Sequence, residues 1–367
     1  MGEHIENTYC LILAGGNGKR LWPYSTRPAP KQFLDFFGVG KSLLRLTYER
    51  FAAFIPRENI IVSTYEGYAY LVRRELPELP DGNLLTEPVQ LNTAPVAARV
   101  TLNVMKRNPD AKLIVSPADQ YVLDTDKFRH QIAKGLDFVQ AEHKVVVIGA
   151  KPTSPNTNYG YIQADRVVGD EDFHYIQTFT EKPDKEFAKV FVESGEFLWN
   201  TGMFLWDVRT MTTHLHHLVP MMEEYKESLG QRFSRMTAEE EEEAVRKNYP
   251  RNISLSIDIA LLENVSDIVV QQTDFGWTDL GSWTDVADVN RSDVDGNTLL
   301  CGAQAMMRGC KNNIVKLPEG KLALLQGLED YLVADHDNVL VVCRKDDRET
   351  LRNLMNSAHV KYGEDYM

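Results

Sequence analysis

The first part of the chain alternates between short apolar runs and longer segments in which apolar residues recur every three or four positions. A short apolar run is typical of a buried strand, whereas the longer period is typical of a helix with one face in the core. We predict helices at residues 42–54, 67–76, 93–107 and 126–141, and strands at residues 10–14, 59–64, 84–87, 112–116 and 144–149. Strands and helices that alternate in this way favour a doubly wound parallel sheet in an α/β fold.

The pattern changes further along the chain. Residues 158–165 and 173–179 alternate apolar and polar positions, as half-exposed strands do, and a helix is predicted at 184–193. Residues 210–250 are polar and helical, with a run of acids at 239–243 that we expect at the solvated start of a helix. Beyond residue 288, turn residues separate short β-like runs; these lie at 298–301, 313–317, 322–325, 331–334 and 339–343, before a last helix at 348–356. We therefore predict a large α/β domain at residues 1–288 and a small β-rich domain at residues 289–367.

Glycine or acidic residues follow three of the predicted strands. A group of glycines follows the first strand, Glu87 ends the third, and Asp119 comes shortly after the fourth. Ligands of doubly wound sheets bind beyond the carboxyl ends of the strands, so these segments form the candidate site.

The glycine segment after the first strand favours binding of a polyphosphate. Glycines allow backbone N–H groups to approach an anion closely, and Arg20 and Lys31 add two positive charges. The segment does not match a dinucleotide fingerprint, because Leu21 replaces the third glycine of that pattern. A later Gly-Lys-Ser segment at residues 40–42 lacks the first glycine of a P-loop, and we expect its serine to cap a helix.

Composition limits the class of protein. The 367 residues carry a net charge of −13, which argues against nucleic acid or an anionic membrane as the main partner. The four cysteines are too widely spaced for a zinc site and are expected to be reduced thiols; they are Cys10, Cys301, Cys310 and Cys343. Since no apolar stretch is long enough to span a bilayer and no signal-peptide pattern is visible at residues 1–9, we expect a cytoplasmic protein. No metal is expected at His214, His216 and His217, because no cysteine or carboxylate is obviously placed with them.

Two motifs connect the chain with a known family. Leu-Ala-Gly-Gly-x-Gly-x-Arg-Leu-Trp-Pro stands at residues 13–23, followed by Pro-Lys-Gln-Phe at 30–33, and Trp-Thr-Asp-Leu-Gly-Ser-Trp stands at 277–283. Together they resemble the sugar-nucleotide pyrophosphorylases, and within them the guanylyltransferases that use mannose 1-phosphate. The resemblance covers nearly the whole chain, and we expect the short form without a phosphomannose isomerase domain. It implies a Rossmann-like, GT-A-like nucleotidyltransferase fold with a mixed sheet flanked by helices, and a small C-terminal β domain that is often a short β-helix.

The resemblance also assigns roles to individual residues. It implies that Asp119 and Asp279 hold Mg²⁺ and that the catalytic residues are Arg20, Lys31, Asp119 and Asp279. The residues implied to bind the nucleotide are Ala14, Gly15, Gly16, Gly18, Glu87, Asn92 and Ala118. Those implied to bind the sugar phosphate are Gly160, Glu181, Lys182 and Asn200; carboxylate and amide groups suit sugar hydroxyls, and a lysine suits a phosphate. The expected substrates are GTP and mannose 1-phosphate, and a homodimer is compatible with the resemblance.

Some residues depart from the family pattern or have a second explanation. Leu91 stands where the family usually has arginine, and Gln120 where it mostly has histidine. Asn92 or Thr93 would equally cap the helix that follows them, and Ser256 is expected to cap a short helix. Asp258, which matches a family position, has an equally strong structural explanation. Two alternatives to the guanylyltransferase remain: a pyrophosphorylase for another sugar or base, and a catalytically weak regulatory homologue. The failed fingerprint disfavours a nicotinamide-dependent oxidoreductase.

Overall fold

The computed structural model describes residues 5–219, 236–300 and 302–363. Of the predictions above, Cys301, residues 1–4 and the part of the helical region at 220–235 lie outside the described residues. The chain divides into two compact units. The first consists of Met1–Gly15, Tyr48–Ala118 and Val122–Trp277, and the second of Gly16–Thr47, Asp119–Tyr121 and Thr278–Met367.

Strands and helices alternate through the first half of the chain much as the apolar pattern predicts. The helices are α1 (Leu43–Ala52), α2 (Ala69–Glu75), α3 (Thr93–Arg107), α4 (Thr125–Glu142), α5 (Lys185–Ser194), α6 (Val208–Leu218), α7 (Ala238–Asn248), α8 (Ile257–Leu262), α9 (Trp283–Asp288) and α10 (Arg348–Tyr362). The strands up to residue 207 are β1 (Thr8–Leu13), β2 (Ile60–Tyr65), β3 (Leu84–Glu87), β4 (Lys112–Pro117), β5 (Gln120–Val122), β6 (Val145–Ala150), β7 (Tyr161–Val168), β8 (Asp170–Thr180) and β9 (Phe197–Asp207). The later strands are β10 (Ile268–Thr273), β11 (Trp277–Asp279), β12 (Thr298–Leu299), β13 (Gln304–Arg308), β14 (Ile314–Lys316), β15 (Leu322–Gln326), β16 (Tyr331–His336) and β17 (Val339–Arg344).

A mixed sheet of nine strands lies in the first unit, in the order β3-β2-β1-β4-β9-β6-β10-β8-β7. The first four strands of that order are mutually parallel, and β10 is parallel to β6. β9 runs antiparallel to its neighbours β4 and β6. The mixed sheet implied by the resemblance is confirmed. The parallel sheet that periodicity favoured is wrong at β9, a strand that was not predicted, and at β8 and β7, which also pair antiparallel with their neighbours. β9 is almost entirely buried, so its apolar run looks like that of a parallel strand and does not encode direction.

The parallel strands that precede the candidate segments in the chain end at one edge of this sheet. β1, β3 and β4 all end there, and the Ala118 backbone N–H donates to Leu13 O at 3.0 Å. The core beneath includes Leu11, Val115 and Phe204, all fully buried. No helix in the described ranges combines the length and apolarity needed to cross a bilayer.

The acidic run at 239–243 is only partly solvated. Thr237 caps α7 in a capping box with Glu240, as expected of acids at a helix start. Glu241, however, is 7% exposed and accepts a hydrogen bond from Asn103 Nδ2 at 3.1 Å. The prediction of a fully solvated acidic face is therefore wrong at this residue, because α7 turns it toward α3.

The second unit contains the C-terminal strands, most of which pair in parallel. β12, β14 and β16 pair in parallel, as do β13 and β15, and β17 pairs antiparallel with β16. Asn313 donates both its backbone and its amide N–H to Asn297 Oδ1. This contact links the residue before β12 to the residue before β14. β13 was not predicted from sequence, and α10 extends beyond the predicted end at residue 356.

The glycine-containing segment also belongs to the second unit. Leu21 and Trp22 lie in one apolar core with residues of the C-terminal strands and α10, among them Leu300, Ile314, Leu332, Ala334, Val341, Leu351 and Met355. Trp283 donates its indole N–H to Trp22 O at 3.1 Å, and the ring of Tyr24 packs on His336 with centroids 4.3 Å apart. The domain boundary after residue 288 stays a prediction; the compact units divide the chain elsewhere because residues 16–47 pack with the C-terminal strands.

Candidate active site

Three charged side chains that are far apart in the sequence meet in the second unit. Lys31 Nζ lies 2.6 Å from Asp119 Oδ2 and 3.7 Å from Asp279 Oδ1. The same ammonium donates a hydrogen bond to Leu280 O at 3.0 Å. Asp119 follows β4 and Asp279 ends β11, and the Leu280 N–H donates to Asp119 O at 3.3 Å. This backbone contact holds the two carboxylates on either side of the lysine.

Burial and charge compete at this cluster. Lys31 is 7% exposed, and burial lowers the pKa of its ammonium, but the charges of Asp119 and Asp279 outweigh burial and leave the pKa raised. Burial raises the pKa of Asp279, and the Lys31 ammonium opposes that rise. Because the lysine remains charged at neutral pH, its ammonium serves both carboxylates.

Arg20 lies close to the same cluster, next to Gly281. A Cβ atom added at Gly281 would lie 2.8 Å from Asp279 Oδ2 and 3.3 Å from Arg20 Nη1. Both side chains therefore approach the backbone of Gly281, and a larger residue would displace one of them. Arg20 is exposed, which leaves its guanidinium accessible to a phosphate. The sequence-based prediction omitted Gly281, although it lies inside the second motif.

Gly18 fixes the backbone from which Lys31 extends. Its φ of +60° lies in the left-handed region, and a Cβ there would lie 2.8 Å from Lys31 N and 2.4 Å from Ser25 Oγ. Gly16 O accepts a hydrogen bond from Gln32 Nε2 at 2.7 Å. A Cβ at Gly16 would meet no described atom within 4 Å, so its backbone is open to a ligand.

The carboxylates of Asp119 and Asp279 have the chemistry of a magnesium site. Mg²⁺ prefers oxygen ligands and in nucleotide enzymes is held by one or two carboxylates together with substrate phosphates and water. Within the part of the chain that is described, no group of three or more His, Cys, Asp or Glu side chains is arranged to hold a metal ion. Two carboxylates alone supply few of the six ligands that Mg²⁺ takes, so substrate phosphates and water would have to complete such a site.

In the first unit, Glu87 lies against Gly15 at the start of the glycine segment. A Cβ at Gly15 would lie 3.4 Å from Glu87 Oε1, and Gln90 Nε2 donates to Gly15 O at 2.6 Å. Glu87 is 6% exposed; its Oε2 accepts from the Tyr249 hydroxyl at 2.7 Å and its Oε1 from Ser63 Oγ at 3.2 Å. Burial raises the pKa of Glu87, and these two hydrogen bonds oppose the rise. Sequence reasoning missed Tyr249, because it lies far from Glu87 in the chain and in no motif.

The Tyr249→Phe variant should be less stable, with a deficit that grows as the pH rises. Loss of the hydroxyl removes a bond that holds the pKa of Glu87 down, so that pKa rises further in the folded state. A carboxyl whose pKa is raised by folding loses stability as the pH rises from its unfolded value of about 4.3 through the folded one. We expect a deficit of about 1–3 kcal/mol at pH 8 and a smaller one at pH 5, measured by urea unfolding.

The matched control is Tyr161→Phe. The Tyr161 hydroxyl donates to Asn156 O at 3.0 Å, an acceptor that does not titrate. Its deficit should be the same at both pH values. If Tyr249→Phe also gave equal deficits, Glu87 would not be the titrating partner of Tyr249.

Three other residues that were predicted to bind the nucleotide have structural roles. Ala14 N donates to Ser63 O at 2.8 Å, which, like the Ala118 contact, continues the sheet by one residue. Asn92 caps α3, accepting from Thr93 N at 3.0 Å, and has a φ of +69°. The predicted cap is confirmed, and the role of Asn92 in nucleotide binding stays a prediction.

The first unit also brings together the residues predicted for the sugar phosphate. Asn200 N donates to Gly160 O at 2.8 Å, and a Cβ at Gly160 would lie 2.9 Å from Glu181 Oε2. Lys182 forms an ion pair with Glu181 and has a φ of +46°. A left-handed conformation is uncommon for lysine, and such residues cluster at ligand sites.

Asp258 joins this group by orienting the Asn200 amide. Its Oδ1 accepts from Asn200 Nδ2 at 2.6 Å, while Asn200 Oδ1 accepts from Gly202 N at 2.9 Å. With both ends of the amide engaged, the oxygen and nitrogen positions are fixed. Burial raises the pKa of Asp258, and the bond from Asn200 opposes it. Ser256 caps α8, as predicted, and Asp258 lies in the first turn of that helix.

Three aromatic rings lie beside Asn200. The ring centroid of Tyr159 lies 5.0 Å from the ring centroids of both Trp199 and Trp277, and the centroids of the two tryptophans are 6.4 Å apart. All three side chains are buried. Because Trp199 directly precedes Asn200, this packing restricts the strand that carries the amide.

A family model described as nucleotidyl transferase matches residues 9–296. A mannose-1-phosphate guanylyltransferase of Escherichia coli is 30% identical, over 94% of this chain and 74% of its own. The xanthan biosynthesis protein XanB of Xanthomonas campestris pv. campestris (strain B100) is 32% identical, over 94% of this chain and 72% of its own.

A solved structure extends the likeness over almost the whole fold. The crystal structure of a mannose-1-phosphate geranyltransferase from Thermus thermophilus is 29% identical and has a TM-score of 0.84. It covers 96% of this chain and 99% of its own. The likeness therefore includes the C-terminal strands as well as the mixed sheet.

Proposed function

This chain belongs to the nucleotidyl transferase family, and we propose that it makes GDP-mannose and pyrophosphate from GTP and mannose 1-phosphate. The observation that carries the proposal is the cluster of Arg20, Lys31, Asp119 and Asp279, in which both sequence motifs supply charged groups to one place. The name of the Escherichia coli relative supports the choice of substrates.

The reaction needs little covalent chemistry from the protein. The phosphate of mannose 1-phosphate is already a nucleophile, so an activated serine, cysteine or histidine is not required. One of its oxygens attacks the α-phosphorus of GTP, and the bond to the β-phosphate breaks in line, which releases pyrophosphate. Catalysis then consists mainly of positioning and of neutralising charge.

The charged residues divide this task between the two substrates. Asp119 and Asp279 would hold Mg²⁺, which when bound neutralises charge on the triphosphate. Arg20 and Lys31 stabilise the triphosphate and the departing pyrophosphate. For the sugar phosphate, Lys182 binds the phosphate, while Glu181 and Asn200 bind hydroxyl groups.

The Lys182→Met variant should bind mannose 1-phosphate more weakly. A charge-assisted hydrogen bond is worth about 1.5–3 kcal/mol, so we expect its KM for mannose 1-phosphate to rise roughly 10- to 100-fold. The KM for GTP should stay close to the wild-type value. Steady-state kinetics of the exposed Lys185→Met variant provide the control, and an unchanged KM for mannose 1-phosphate in Lys182→Met would remove Lys182 from the sugar site.

The substrate choice is tested by pyrophosphate release. Mannose 1-phosphate is supplied with GTP, ATP, UTP or dTTP, each with and without Mg²⁺. We expect Mg²⁺-dependent release with GTP alone. Release with another nucleotide would keep the chemistry and overturn the choice of guanine, with Leu91 the first residue to examine, whereas no release with any nucleotide would overturn the proposal for mannose 1-phosphate.

Location and assembly complete the proposal. We place the protein in the cytoplasm, where GTP and sugar phosphates are available, and propose a homodimer on the strength of the family resemblance. Light scattering of the purified protein measures the mass of the assembly directly.

A further inference from the structure

The Lys31 ammonium contacts the carboxylates of Asp119 and Asp279, the same groups that would bind a divalent cation. It contacts Asp119 Oδ2 at 2.6 Å and Asp279 Oδ1 at 3.7 Å, and Leu280 O accepts a third contact at 3.0 Å. The lysine is 7% exposed, so this arrangement replaces most of the hydration of the ammonium. The two carboxylates thus already have a counter-ion, supplied by the chain itself.

A divalent cation and this ammonium compete for those oxygens. Mg²⁺ bonds to carboxylate oxygens at about 2.0–2.1 Å, and an ammonium at hydrogen-bond distance from the same oxygen would then face the ion with only that atom between them. Two cations at such short range repel strongly in a partly buried site. Binding of either cation therefore weakens binding of the other.

The backbone at Lys31 cannot easily move, but its side chain can. Gly18 approaches the backbone nitrogen of Lys31 closely, and the residue begins the short helical turn Lys31–Phe33. The four-carbon side chain, by contrast, has several rotatable bonds, which allow the ammonium to change partners while the backbone stays in place. A triphosphate offers the ammonium a new anionic partner.

We propose that Lys31 is the resident counter-ion of the Asp119–Asp279 pair, and that a divalent cation binds by displacing its ammonium. This inference rests on the proposed function, since it takes the two carboxylates as the metal ligands. The lysine then has two positions, one on the carboxylates and one on the triphosphate. The displacement weakens metal binding in the absence of nucleotide and links the arrival of the metal to the arrival of the triphosphate.

The first test compares Mn²⁺ binding to the protein without nucleotide, measured by electron paramagnetic resonance of the free ion. If Lys31 competes with the metal, Lys31→Met should bind Mn²⁺ at least about tenfold more tightly than wild type, and Lys31→Arg, which keeps the charge, should show no such gain. The control is Lys127→Met, which removes an equal charge from an exposed ion pair with Asp274 and should leave the affinity unchanged. Equal or weaker binding by Lys31→Met would overturn the inference.

A second test uses the wild-type chain, so it does not depend on a folded variant. Lys31 is acetylated slowly while it is buried against the carboxylates, and labelling of each lysine is followed by mass spectrometry. Saturating Mg²⁺ should raise the labelling rate of Lys31 several-fold relative to a NaCl control of equal ionic strength, while that of Lys127 stays constant. An unchanged rate for Lys31 at a Mg²⁺ concentration that supports turnover would overturn the displacement.

These outcomes separate the inference from the proposed function. If the wild-type protein makes GDP-mannose but Lys31→Met binds Mn²⁺ no more tightly than wild type, the inference alone is overturned. Absence of both pyrophosphate release and Mn²⁺ binding in all the proteins would overturn the metal assignment and the inference together.

Discussion

Asp279→Asn is expected to lower kcat by about 10³-fold or more while leaving the fold intact. A neutral amide is a poor ligand for Mg²⁺, and it also removes one of the two negative charges that face Lys31. The side chain of asparagine has nearly the same shape as that of aspartate, so we expect neither a cavity nor a collision at this position. We expect the melting temperature to stay within about 4 °C of wild type.

The matched control for this variant is Asp274→Asn. Asp274 precedes the same motif but is exposed and pairs with Lys127 at 2.5 Å. Steady-state assays should show wild-type kcat for this control. Near-normal kcat in Asp279→Asn would remove Asp279 from the metal site, and a large fall in both variants would point to a general effect of charge.

Gly18→Ala should be the most damaging substitution in the glycine segment. Its new methyl group would lie 2.8 Å from Lys31 N and 2.4 Å from Ser25 Oγ, and the residue would have to keep a φ of +60°. The left-handed conformation alone costs an alanine about 1–2 kcal/mol, and the collision adds roughly 1–3 kcal/mol. Since the collision moves the backbone that carries Lys31, kcat/KM should fall by about 10²-fold.

Gly40→Ala separates strain from collision. Gly40 also has a positive φ, +72°, but a Cβ there would meet no described atom within 4 Å. Chemical unfolding should therefore show only the conformational cost, about 1–2 kcal/mol, with activity close to wild type. Equal losses of stability and activity in the two variants would show that Lys31 is not displaced by the methyl group.

Local patterns predicted much of the fold because the information they use is local. The apolar runs identify β1 to β4, and the caps at Asn92 and Ser256 follow from single side chains next to helix starts. The two motifs also identify Lys31 and Asp279, and the position of Asp119 just after a predicted strand identifies that residue; the structure brings all three together. Motif residues can be recognised without knowledge of their distance in space.

The features that sequence patterns failed to predict depend on contacts between segments that are distant in the chain. The direction of β9 is set by its neighbours, because an apolar run fits either orientation. Tyr249 was missed because its partner Glu87 lies on a different element, and no local feature links a tyrosine to a buried carboxylate. The burial of Glu241 has the same origin, since helix periodicity shows that a face is polar but not that Asn103 covers part of it.

The grouping of residues 16–47 with the C-terminal strands is a further long-range result. Leu21 and Trp22 share a core with Ile314 and Leu332, and only the folded chain shows that these apolar residues belong together. The domain boundary predicted from a change of pattern at residue 288 used chain order alone. The C-terminal strands therefore do more than form a β-rich region: they pack against the segment that carries Arg20 and Lys31.

The decisive measurement is the fate of the α-phosphate of GTP. Wild-type protein is incubated with α-³²P-labelled GTP, mannose 1-phosphate and Mg²⁺, and the products are separated and identified by mass. We expect the label in GDP-mannose, with one pyrophosphate released for each molecule formed and none released without mannose 1-phosphate. Label recovered as GMP or GDP, or pyrophosphate released without the sugar phosphate, would contradict direct nucleotidyl transfer to mannose 1-phosphate.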